Sequence, residues 1–144
     1  MKKLFALLFI AGCAVLITGC ASGPKYSALH NTEPALASGN ARVYIYRASH
    51  VFGCAVQPDV KVNDQVVGCA VPGGYFFFDR PAGNYQVSTT TEVKRTLSLA
   101  LDPGQQRYVR LNIGMGFFVG HVWPELIDNP VAEKEIQNCH YTEK

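Results

Sequence analysis

The sequence has little net charge. It carries 13 Lys and Arg against 11 Asp and Glu, a formal net charge of +2. Two of the basic residues are Lys2 and Lys3, and the rest of the chain balances. There is therefore no basic field for nucleic acid and no acidic tail. The longest apolar run, Leu4 to Ile17, is short of the ~20 residues that a comfortable membrane-spanning helix needs. No Gly-x-Ser-x-Gly elbow occurs, and no glycine-rich loop leads into a helix to cradle phosphate. Metal-type donors exist at His50, Cys54, Cys139 and His140, but their spacing matches no compact zinc motif. Ser49 and His50 adjoin, so on a strand they would point to opposite faces. Asp64, Asp79 and Asp102 each stand at turns, where Asp has a structural reason to be. The expectation is no metal, no cofactor and no catalytic constellation.

What the sequence does have begins at its start. Lys2-Lys3, the apolar run and the small residues before Cys20 have the layout of a secretory signal. Leu16-Ile17-Thr18-Gly19-Cys20 resembles the lipoprotein box of bacteria. The resemblance implies cleavage between Gly19 and Cys20, with Cys20 carrying the lipid. Two or more acyl chains make a stable anchor where one is marginal. Ala21 in place of an Asp resembles the outer-membrane default of such signals, with the protein facing the periplasm. The expected organisation is a signal over 1–19, a lipidated flexible tether over 20–40 and one domain over 41–144. A coil of the tether's length would span about 25 Å.

From Ala41 the texture becomes that of strands. Arg42-Val43-Tyr44-Ile45-Tyr46-Arg47 is aromatic and β-branched. Asn63-Asp64 suits a two-residue hairpin turn, because both residues tolerate positive φ. Tyr75 to Asp79 reads as a strand, and Pro81-Ala82-Gly83-Asn84 as a turn into Tyr85 to Thr90. Leu97, Leu99 and Leu101 share one face, as do Val109, Leu111 and Ile113. With Asp102-Pro103-Gly104-Gln105 between them, these two segments read as a hairpin. Gly114 to Val122 reads as a further strand or bulged return. Asp128-Asn129-Pro130 marks a helix start, followed by a short helix over 131–138. These signals predict an all-β fold, a single antiparallel β-sandwich of about seven strands with a short C-terminal helix.

Several motifs carry a family likeness. They are the Ala41 to Arg47 strand, Asn63-x-x-x-Val67-Gly68, Gly74-Tyr75-Phe76, Pro81-x-Gly83 and Pro103-Gly104-Gln105. Together they resemble a family of small bacterial lipoproteins and membrane proteins whose domain has no assigned function. Val60 to Gly68 with Pro81 to Val87 also resembles, locally, the envelope β-modules named for a Pro-Glu-Gly-Ala motif. That second likeness implies a β-sandwich module and no shared ligand.

The remaining candidates are thiols and aromatics. The signal implies an oxidising compartment for Cys54, Cys69 and Cys139. The odd number leaves several pairings open. In the proposed hairpin Pro58 faces Cys69, so a Cys54–Cys69 disulfide needs the preceding segment to curl back. Tyr75, Phe76, Phe77 and Phe78 are consecutive and place two rings on each face of a strand. Either helix and sheet cover both faces of that strand, or Tyr75 and Phe77, with Phe117 and Trp123, are candidates for an interaction patch with a partner or membrane surface. The expected function is that of a lipid-anchored, non-catalytic envelope protein that binds another envelope protein or cell-wall glycan. A carrier of small apolar ligands and an unrecognised hydrolase or redox enzyme are the alternatives.

Overall fold

Sequence alternation sends the rings of one strand to two separate cores. Phe76 and Phe78 enter an aliphatic core, while Tyr75 and Phe77 enter a second one rich in tyrosine. The computed structural model in which this is seen describes residues 20–143. The signal expected over 1–19, with Gly19, lies outside the described residues. Among the described residues nine strands form: β1 (Asn40–Tyr46), β2 (Asp59–Val62), β3 (Gln65–Cys69), β4 (Gly74–Pro81), β5 (Gly83–Thr90), β6 (Lys94–Leu101), β7 (Gln106–Gly114), β8 (His121–Ile127) and β9 (His140–Tyr141). Among the described residues two short helices, α1 (Tyr26–Leu29) and α2 (Asn129–Glu135), each run on into a 3-10 turn.

The fold is mostly β and sandwich-like, with two sheets and a short C-terminal helix. One sheet has the order β8-β7-β1-β4-β9 and the other β3-β2-β5-β6. Two expectations are corrected here. There are nine strands rather than about seven, and the larger sheet is mixed, because β1 runs parallel to β7 and β4 parallel to β9. The smaller sheet is antiparallel throughout. The hairpin expected from β6 to β7 does not form either. β6 pairs with β5 in one sheet, and β7 pairs with β1 and β8 in the other. Residues 102–105 therefore carry the chain across the sandwich, as residues 81–83 do between β4 and β5. Alternation fixes which face of a strand is buried, not which neighbour it pairs with.

The Asn63-Asp64 turn forms as expected, with φ of 47° and 66°. The Asn63 Oδ1 accepts the Gln86 N–H at 2.9 Å and locks the turn to β5. A register shift between Val60 and Lys61 then sets Asp59, not Pro58, opposite Cys69.

The larger sheet is buried on both faces, which is why every residue of β1 after Asn40 is buried. Between the sheets lie Val43, Ile45, Val60, Val87, Val109 and Val122, each essentially inaccessible. On the outer face lie Tyr44, Tyr46, Tyr75 and Tyr108, covered by Tyr26 from the N-terminal segment and Ala132 and Ile136 from the C-terminal one. The flexible tether expected over 20–40 is thus corrected. Its α1 packs as part of the outer core, with Tyr26 only 1% exposed. The Tyr26 N–H donates to the Cys139 carbonyl at 2.9 Å, and the Tyr141 N–H to the Pro24 carbonyl at 2.8 Å. Arg42 fixes the rest of the segment. It grips Asp79 with two bonds of 2.8 and 2.9 Å, and also donates to Glu33 Oε2 and the Pro34 carbonyl. Its guanidinium lies 4.6 Å from the centre of the Phe77 ring.

Candidate functional site

The strand register brings three loops to one end of the sandwich. The parallel pair sets Tyr46 beside Arg110, so β1 and β7 finish at the same end. Gly114 pairs with His121, so β8 starts there. Tyr46 pairs with Tyr75, so β4 also starts there. The loop after β1 turns back over this end under the control of Arg47, which is 2% exposed. Its guanidinium donates to the carbonyls of Val56 and Ala70, both at 2.6 Å, and of Gly53 at 2.9 Å. Burial lowers its pKa from the usual arginine range.

The loop between β7 and β8 is the most exposed apolar stretch of the domain. Phe117 is 85% and Phe118 86% exposed, with Met115 beside them. Of the strand or bulged return expected over Gly114 to Val122, the structure has the return: β7 ends at Gly114 and β8 begins only at His121, with a loop between them. Sequence reading missed what holds it. Glu92, in the β5–β6 turn, accepts the backbone N–H groups of Phe117 (3.0 Å), Phe118 and Val119 (2.6 Å). These bonds, Val119 foremost, hold its carboxyl below the usual carboxylate range. His121 Nε2 lies 3.5 Å away. Gly116 is required by space, since a Cβ there would sit 1.8 Å from the Val119 oxygen.

Next to this loop the outer face of β7 and β8 carries a polar strip. Arg110 is paired with Glu125 at 2.9 Å and with Glu135 of α2 at 2.8 Å. Asn112 donates to Glu125 at 2.7 Å, and Tyr46 to Glu135 at 2.6 Å. Arg110, and then Asn112, lower the Glu125 pKa. An open groove of about 370 Å³ runs here, bordered by His50, Arg110, Asn112 and Glu135. Trp123 faces Asn112 across the two strands and lies over Gly114. It also borders a second groove of about 600 Å³ with Met115, His121 and Arg95.

The four aromatics proposed as one patch do not lie together. Tyr75 is wholly buried and Phe77 half-buried in the outer core, because residues 26–34 and 136–141 cover that face. Phe117 is exposed on the protruding loop, and Trp123 is 37% exposed on β8. The proposed Cys54–Cys69 disulfide is absent, and both residues are free thiols. The register shift turns Cys69 toward the Gln57 carbonyl, to which its thiol donates at 3.1 Å. Cys54 lies exposed in the loop before β2. Cys139 is buried, and burial pushes its thiol up to about 11. Cys20 is exposed where the described chain begins. Among the described residues no three His, Cys, Asp or Glu side chains gather where they could hold a metal ion. No helix among them is long and apolar enough to cross a membrane.

Comparison with known proteins places the sandwich in a family. Residues 37–122 match the family described as "Protein of unknown function (DUF2846)". The chain is 31% identical over 145 residues to an "Uncharacterized protein" of Haemophilus influenzae, across 97% of this chain and 86% of that one. Among solved structures it is similar to the N-terminal domain of AlgF from P. aeruginosa. That likeness has a TM-score of 0.47 and 22% identity, over 65% of this chain and 96% of that one. The chain belongs to the DUF2846 family.

Proposed function

We propose that this is a lipid-anchored bacterial envelope protein that works by binding and not by catalysis. Cys20 carries the lipid, and the domain faces the periplasm from the outer membrane. The partner is another envelope protein or cell-wall glycan. The observation that carries the binding part is the polar strip on β7 and β8. Guanidinium, amide and carboxylates are presented side by side on an open face next to an indole, and each is held by a neighbour. Pre-paired groups of this kind lose little freedom on binding and suit recognition of a polar ligand. The same pairing argues against catalysis, which needs a nucleophile or base kept poised for a proton. The carrier reading draws no support, because the grooves are open and half polar instead of a dry interior.

Two experiments test this reading. Palmitate labelling should mark the wild-type chain and not a Cys20→Ser variant; a labelled, membrane-held variant would overturn the anchor. Photo-crosslinking in intact envelopes from position 112 should capture one specific protein or muropeptide, and Trp123→Ala should reduce the capture. Loss of nothing on Trp123→Ala, or capture of no specific species, would overturn the binding surface.

A further inference from the structure

The polar strip leaves the most exposed part of the molecule without a role. Large hydrophobic side chains are exposed at eleven described positions, and seven of them lie on the loop after β1, the β7–β8 loop and the β5–β6 turn that Glu92 joins to it at the same end. These are Val51 and Phe52 after β1, Val93 in the β5–β6 turn, and Met115, Phe117, Phe118 and Val119 between β7 and β8. A soluble surface scatters such residues singly; a group of them marks a contact.

The position of Cys20 and Ala21 says what that contact is. Ala21 hydrogen-bonds to the Pro72 carbonyl, and its Cβ lies 3.3 Å from the position a Cβ on Gly74 would take. Gly74 is the first residue of β4, at the same end as the three loops. Order then continues through the Tyr26 and Tyr141 bonds, so Cys20 has no long coil to move on. In the sheet, β4 and β7 are separated only by β1, a distance of about 10 Å between strand axes. A lipid on Cys20 and the rings of Phe117 and Phe118 therefore leave the domain at one end and side by side.

We propose that this end of the sandwich lies in the membrane interface, with Met115, Phe117 and Phe118 immersed beside the lipid carried by Cys20. The proposal rests on the anchored reading for that lipid. The aromatic loop is suited to it. Immersing flexible backbone would require its free N–H groups to be satisfied, and Glu92 already accepts three of them. Trp123 at the base of the loop is the type of side chain that prefers the headgroup level. The chain without its first residues has balanced charge, so apolar contact and not attraction to anionic lipid holds this end down. The domain then stands end-on, with the polar strip facing sideways along the membrane surface and within reach of neighbours there.

A single movable indole tests the proposal in the full-length lipidated protein, because Trp123 is the only tryptophan. In a Trp123→Phe background, Phe118→Trp places an indole at the loop tip and Asn84→Trp places one at the opposite end. Each protein is reconstituted into phosphatidylcholine vesicles containing brominated acyl chains. The tip indole should be quenched about twofold or more and blue-shifted, and the Asn84→Trp indole should remain unquenched. High salt or added phosphatidylglycerol should not change either result. Equal quenching at both ends, or none at the tip in palmitate-labelled protein, would overturn the proposal and leave the anchor intact. A Cys20→Ser chain serves as the second arm. Tip quenching in that chain supports the apolar end on its own, even if palmitate labelling shows that the anchor reading fails.

Discussion

The two faces of the larger sheet solve the same problem with different chemistry. The inner face meets the second sheet with Val, Ile, Leu and Phe side chains. The outer face carries four tyrosines on three strands and is sealed by the chain's own ends. Aliphatic packing needs only shape, so the inner core is indifferent to charge. Buried phenols need partners, and these come from the sealing segments. Tyr44 donates to Glu33 at 2.5 Å, Tyr46 to Glu135 at 2.6 Å, and Tyr108 meets Tyr26 at 3.1 Å. The outer face therefore records where each end of the chain must lie. It converts a segment that reads as a tether into part of the domain, and so places Cys20 at a definite end.

The largest effect should come from breaking the outer seal at its charged centre. Arg42→Ala leaves Asp79 and the buried Glu33 without their counter-ion, and should cost about 3–5 kcal/mol in urea unfolding. The same variant should free residues 24–34 to protease, while a loss under about 1 kcal/mol would deny the seal its role. Breaking the inner face instead, Ile45→Ala should cost about 3 kcal/mol through cavity formation. Its N-terminal segment should stay docked, so the two losses are told apart by proteolysis and not by size.

Alkali should separate the faces without mutation. Burial raises the pKa of Tyr26, Tyr44, Tyr46 and Tyr75, and the Glu33 and Glu135 carboxylates add to this at Tyr44 and Tyr46. A tyrosine in the unfolded chain ionises near about pH 10, while these stay protonated in the fold. Their contribution is complete below that pH and is lost as pH rises above it. The urea midpoint should fall steadily above about pH 10, and Ile45→Ala should fall in parallel. A flat midpoint, or native tyrosinate absorbance rising as in free tyrosine, would contradict the tyrosine core. The smallest effects come from single hydroxyls. Tyr108→Phe removes the bond to Tyr26 and should cost about 1 kcal/mol. Tyr75→Phe should stabilise by about the same amount, since the Tyr75 hydroxyl is buried with no hydrogen-bond partner among the described residues. Equal signs for the two would show that the phenol network is not what seals the face.

Local chemistry made much of this legible in the sequence. Asn63-Asp64 announces its positive φ values, Asp128-Asn129-Pro130 opens α2, and the four rings from Tyr75 to Phe78 divide between two faces. What could not be read depends on contacts far apart in the chain. The bonds of Tyr26 to Cys139 and of Arg42 to Glu33 and Asp79 give residues 20–40 no signature of their own. The periodicity of Leu97 to Leu101 and Val109 to Ile113 is satisfied equally by a hairpin and by two strands in facing sheets. For the candidate surface, Phe117 is legible as part of an apolar cluster, Phe117-Phe118-Val119, that needs either cover or a partner. Tyr75 and Phe77 misled because their cover lies outside the strand. Glu92 orders the loop through backbone N–H groups some 25 residues further along the chain, a contact that leaves no local pattern.

Everything proposed for the membrane-facing end depends on residues 21–34 being fastened to the outer face. Amide hydrogen exchange at Tyr26 and Tyr141 in the full-length protein measures that directly, because their N–H groups make the two bonds that join the N-terminal and C-terminal segments. Both should exchange as slowly as the amides of β1, opening only when the whole domain unfolds. Exchange of either within seconds, while β1 stays protected, would contradict the seal and return Cys20 to the end of a free tether.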